Sequence, residues 1–166
     1  MLPSASPVLQ FLPYAAPAHE AAVRAVFQAN VPRFFIPEEE AGLLDYLGQG
    51  LPYFVGMSGA TVYAAGGFAF NHPTPQLPEP SVSLTWGMVH SGWHGRGLGR
   101  QLTAYRLQQA GLHYPALPVC IETSHLTASF YEKFGFALLE TLPDGVAPGL
   151  HLCRMRRPAF HPVPTL

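Results

Sequence analysis

The sequence predicts an α/β (α+β) fold in one domain, a sheet with helices around it. Three observations carry this. Short apolar runs rich in β-branched and aromatic residues alternate with segments of three- and four-residue apolar spacing. The 166 residues fit one domain of ordinary size, and hydrophobic residues make up 48%, enough for a core. One apolar run, SVSLTWGMV, feeds through a glycine-rich turn straight into a helical sequence, a strand–loop–helix unit.

The elements follow in order. Val8 to Leu12 is a short strand. Pro17 opens a helical pattern in which Val23, Val26, Phe27 and Asn30 recur on one face, and proline suits a first helical turn. After a loop, Pro37 starts a second helix, with Glu38, Glu39 and Glu40 placed where negative charge meets the positive end of the helix dipole. That helix carries Leu43, Leu44 and Leu47 and stops near Gly48 or Gly50. LPYFVGM and TVYAAGGFAF, separated by Ser58, Gly59 and Ala60, read as a hairpin. NHPTPQLPEP holds four prolines in ten residues and is a loop. Val82 to Val89 is a strand, and Gly99 to Ala110 a helix ending at Gly111. Leu117 to Glu122 is a strand, and Thr127 to Phe134 a short helix with Thr127 as its N-cap. Phe136 to Leu142 and Leu150 to Met155 are the last strands. The order is β-α-α-β-β-β-α-β-α-β-β, without repeat or linker, leaving a C-terminal tail over residues 158–166.

Composition limits the function. The net charge of −1 gives no electrostatic footprint for nucleic acid. No apolar run reaches the roughly 18 residues of a membrane helix. The N-terminus lacks the basic start of a secretory signal. Cys120 and Cys153 make no disulfide framework and read as small apolar residues of the sheet. His90 and His94, four apart in a turn, make no metal site. A cytoplasmic protein without metal is the expectation.

The stretch SGWHGRGLGRQL packs four glycines and two arginines into twelve residues. A strand that ends in glycines and leads into a helix gathers backbone N–H groups around an anion, and the helix N-terminus adds positive partial charge. The amides on offer are those of Gly95, Arg96, Gly97, Leu98, Gly99 and Arg100. Arg96 and Arg100 can add charge-assisted bonds to phosphate. No lysine follows in the manner of a P-loop, and Arg100 and Leu102 stand where a dinucleotide fingerprint needs glycine. A turn without ligand is the alternative.

HGRGLG, His94 to Gly99, resembles the pyrophosphate loop of the GNAT superfamily of N-acetyltransferases, written [QR]xxGx[GA]; His94 stands where Gln or Arg is usual. FYEKFGF, Phe130 to Phe136, resembles the C-terminal signature of that family, often LYEKLGF. The resemblance covers about residues 8 to 157 as a single acetyltransferase domain (1–157 with the N-terminus). It implies the GNAT fold, a mixed, mostly antiparallel central sheet with two splayed strands, flanked by helices. It implies acetyl-CoA as co-substrate, with Gly87, Met88 and Val89 on the pantetheine, His94 to Arg100 on the pyrophosphate and Ser124 in the place of a frequent CoA-binding Asn. It implies Tyr131 as general acid to the CoA thiolate and the Val89 N–H as oxyanion donor. Glu122, at the end of the second arm, is the candidate base, with His90 and His94 as rivals. Phe34, Phe35 and Trp86 line the acceptor side, and Trp93 and Tyr53 add aromatic surface. The acceptor is a primary amine of a small molecule or peptide, and the family habit implies a homodimer. A GNAT-like CoA-binding sensor or interaction module without turnover is the competing reading.

Overall fold

A computed structural model describes residues 5–159. Residues 160–166 of the expected tail lie outside the described residues. The elements are β1 (Gln10–Pro13), α1 (Glu20–Gln28), α2 (Glu39–Leu47), β2 (Tyr53–Ser58), β3 (Thr61–Asn71), β4 (Ser81–Val89), α3 (Leu98–His113), β5 (Val119–Ser124), α4 (Ala128–Glu132), β6 (Ala137–Ala147) and β7 (Leu150–Arg157), with a 3₁₀ turn at Ser91–Trp93. This is the expected order. The strands form one seven-stranded sheet, β1-β2-β3-β4-β5-β7-β6, flanked by helices. β1/β2, β2/β3, β5/β7 and β6/β7 are antiparallel. β4 and β5 run parallel over Val82–Leu84 against Val119–Ile121.

Two compact units can be told apart. One runs to Gly67 and takes in Trp86–Arg106; the other holds Phe68–Thr85 and the described residues from Leu107 on. In the first, α1 buries Val23, Val26 and Phe27, the face its spacing marks. The helix opens at Glu20 rather than Pro17. His19 Nδ1 accepts the Ala15 amide at 3.0 Å and holds residues 15–19 in a turn instead. α2 buries Leu43 and Tyr46, while Leu44 and Leu47 are only half-buried. The β2–β3 hairpin closes on Gly59 and Ala60, and Gly59 has φ +60°. Leu9, Ala64, Leu98 and Leu102 form a core on which Phe11, Tyr63, Val89 and Trp93 pack.

In the second unit, β5 is central, with Val119 and Ile121 buried. β6 is an edge strand that continues past the expected Leu142 to Ala147 and leaves Leu138 and Leu139 exposed. α4 ends at Glu132, two residues before the expected Phe134. Thr127 occupies the N-cap position but caps no amide with its side chain. Its Oγ1 instead meets Thr123 Oγ1 at 2.6 Å and donates to the Ser124 carbonyl at 3.1 Å.

Candidate active site

β4 leaves regular geometry at its end. Trp86 has φ +44°, a left-handed conformation that costs a bulky side chain on the order of 1–3 kcal/mol and persists only where the surroundings enforce it. Tyr53 Oη donates to the Trp86 carbonyl at 2.9 Å. The Trp86 indole stacks on Phe35, with ring centroids 6.1 Å apart and planes 22° apart. Tyr53 is buried, and burial drives its phenol well above the ordinary tyrosine range, against a smaller opposing effect of Arg106. It is therefore a hydrogen-bond donor throughout the working pH range.

Beyond Trp86 the chain reaches Gly87, buried Met88 and half-buried Val89. The Val89 carbonyl accepts two side-chain bonds, from Asn30 Nδ2 at 2.9 Å and from His94 Nε2 at 2.8 Å. A carbonyl only accepts, so His94 carries its proton on Nε2. Asn30 is buried and also donates to the Val26 carbonyl at 2.8 Å, tying the end of α1 to the end of β4. The sequence placed Asn30 on the face of α1, but it lies in the turn two residues past the end of that helix, and no sequence signal gave its partner, 59 positions away.

The glycine loop then turns. His90 Nδ1 accepts the Gly92 amide at 3.1 Å, which occupies the lone pair a base would use. Gly95 (φ +74°) and Gly97 (φ +80°) adopt left-handed conformations that L side chains rarely take. A Cβ built at either would meet nothing within 4 Å, so it is backbone conformation, not crowding, that calls for glycine. The Gln101 amide donates to the Gly97 carbonyl at 3.2 Å and closes the first turn of α3. The amides of Leu98, Gly99 and Arg100 therefore stand at the open end of a sixteen-residue helix. The helix starts one residue before the expected Gly99. Arg96 and Arg100 are exposed beside it, and the Arg96 guanidinium lies over Trp93 at 4.7 Å from the ring centroid. Such an array fits a phosphate group in donor type and charge. Phe34 meets His94 edge-on at 5.3 Å, and Phe35 also packs on Phe27 at 5.3 Å. The first unit thus gathers Gly87 to Val89, the glycine loop, Phe34, Phe35 and Trp86.

The second unit carries the other candidates. Tyr131 is buried on α4 and meets Phe130 and Phe136 edge-on at 5.0 and 5.8 Å. Ser124 is buried at the end of β5, and its carbonyl accepts the Thr127 amide at 3.0 Å. Glu122 is exposed and faces Arg154 across β5/β7, with Oε1 accepting from Nε at 3.0 Å. Arg154 also reaches Glu140 at 2.9 Å, and the hydrogen bond to Glu122 leads the effects that raise its pKa. The sequence placed Glu122 on its strand but not opposite a cation. Among the described residues no group of three or more His, Cys, Asp and Glu side chains is arranged to hold a metal, and no helix is long and apolar enough to cross a membrane.

Comparison with known proteins bears on this arrangement. The acetyltransferase (GNAT) domain model matches residues 53–138. No match was found among curated proteins. Solved structures share the fold. A GNAT-family protein from Desulfovibrio desulfuricans superposes with a TM-score of 0.70 at 24% identity, over 91% of this chain and 99% of that one. The ribosomal-protein-alanine N-acetyltransferase of Brucella melitensis gives 0.68 at 16% identity, over 90% and 99%. Salmonella typhimurium yncA, solved with its cofactor acetyl-CoA, gives 0.67 at 15% identity, over 96% and 99%. At these identities the superpositions speak for the fold alone.

Proposed function

Because this chain belongs to the GNAT acetyltransferase family, we propose that it transfers an acetyl group from acetyl-CoA to a primary amine of a small molecule or peptide. The observation that carries the reading is the glycine loop. Two left-handed glycines and two exposed arginines stand at the N-terminus of a long helix, an arrangement that suits a pyrophosphate.

Acetyl-CoA supplies an activated acyl carbon and a thiolate leaving group. The residues of the chain do the rest. Backbone groups of Gly87, Met88 and Val89 bind the pantetheine as an added strand would. His94, through the Val89 carbonyl, fixes the first residue of the loop, and the amides from Gly95 to Arg100 hold the phosphates. The amine nitrogen bonds to the acyl carbon as the C–S bond breaks. Negative charge that builds on the carbonyl oxygen meets the Val89 N–H. Tyr131 gives its phenolic proton to the thiolate sulfur, and the amine proton leaves through water toward Glu122. The half-buried Phe34, Phe35 and Trp86 give the acceptor side an apolar wall. A single domain over 1–157 with the tail 158–166, cytoplasmic residence and a homodimer complete the proposal.

Calorimetric titration with acetyl-CoA tests it. Micromolar binding that is lost in Gly97→Trp supports the reading; no binding at millimolar cofactor by the folded protein overturns it. One observation favours a CoA-binding module without turnover, namely that Arg154 engages the candidate base Glu122. Tyr131→Phe separates the two. A catalyst loses thiol release there and still binds CoA.

A further inference from the structure

Arg106 is among the largest fully buried side chains, 1% exposed, on the third turn of α3. A buried guanidinium is costly, because its charge leaves water. Its placement shows what it is packed against. A Cβ built on Gly87 would lie 2.5 Å from Arg106 Nη2 and 2.7 Å from Nη1, so the guanidinium occupies the space a side chain at 87 would need. A Cβ on Gly66 of β3 would lie 3.1 Å from Arg106 Cδ and 3.1 Å from the Gly87 Cα. Glycines on β3 and β4 thus open the slot through which the arginine reaches the β4 backbone, one residue after the left-handed Trp86. Tyr53 lies within the field of the same charge and holds the Trp86 carbonyl.

We propose that Arg106 is a positioning residue for acyl transfer: its planar guanidinium, packed under Gly87, keeps the Trp86–Gly87 backbone turned so that the amides that follow face the thioester, and sets one fixed positive charge beneath them. This rests on the acetyl-transfer reading above. As the amine nitrogen bonds to the acyl carbon and the C–S pair leaves on sulfur, negative charge passes over the carbonyl oxygen. The charge of Arg106 and the geometry it enforces both favour that state over the bound thioester. Lysine carries the charge but not the fork, and methionine fills the volume with neither.

The test is steady-state thiol release by the full chain with acetyl-CoA and an amine found by screening, in wild type, Arg106→Met and Arg106→Lys, each checked by thermal melting. The expected result is a fall in kcat of about a hundredfold for methionine and about tenfold for lysine. KM for acetyl-CoA stays within about threefold of wild type, because the phosphate loop is untouched. A residue that merely fills space would leave kcat unchanged in a folded methionine variant, and that result overturns the proposal. Should Arg106→Met not fold, Arg106→Lys decides: kcat equal to wild type overturns it, and a tenfold fall at unchanged KM supports it. Wild type that binds no acetyl-CoA and releases no thiol refutes the acetyl-transfer reading and this inference with it. Active wild type beside equally active variants refutes this inference alone.

Discussion

The Val89 carbonyl has two side-chain donors, so removing both should cost more than the sum of removing each. Asn30→Ala deletes two hydrogen bonds, of 2.8 and 2.9 Å, from a buried side chain. At about 1 kcal/mol net per bond, the loss is about 2 kcal/mol. For a domain of this size that lowers Tm by about 4–8 °C. His94→Ala deletes one bond, of 2.8 Å, from an exposed side chain, and should cost under about 1 kcal/mol. In either single variant the carbonyl keeps one donor. In the double variant it keeps neither side-chain donor, and the desolvation of a half-buried acceptor adds about 1 kcal/mol of coupling. Urea or thermal unfolding of the four proteins measures the cycle. Additivity within about 0.3 kcal/mol would show that water takes the place of the lost donors, and the account of Val89 as a pinned residue would fall.

Three further outcomes are expected. Tyr53→Phe removes the bond to the Trp86 carbonyl from a buried site and should cost about 1–2 kcal/mol, read as a Tm loss of about 2–8 °C. Burial raises the Glu39 carboxyl above its ordinary 4.5, against a smaller lowering by the Ile36 amide. Its stabilising contribution is then complete below 4.5 and is lost as pH rises through the raised value. Glu39→Gln should flatten that acid-side gain in melting experiments, and an unchanged pH profile would contradict it. Glu122→Gln breaks an exposed pair with Arg154 and should change stability by under about 1 kcal/mol. If the carboxylate is the base, turnover falls about a hundredfold or more at neutral pH, and unchanged turnover removes it from the mechanism.

Much of this molecule could be read from the chain. Local rules governed the order of all eleven elements, because apolar spacing and turn chemistry act over a few residues. The glycine loop was legible because positive φ at Gly95 and Gly97 demands that residue type. The short helix that carries Tyr131 was legible through the motif around it. The start expected at Pro17 gives way to a turn in which His19 takes the Ala15 amide, and the N-cap expected at Thr127 is in place, but its hydroxyl bonds to Thr123 and Ser124 rather than to a helix amide. Tertiary structure alone decided that Trp86 turns left-handed, that Arg106 is buried beneath Gly87, that Asn30 reaches Val89 and that Arg154 answers Glu122. Each depends on groups brought together from distant positions, and no spacing within a single element encodes which distant group will meet it.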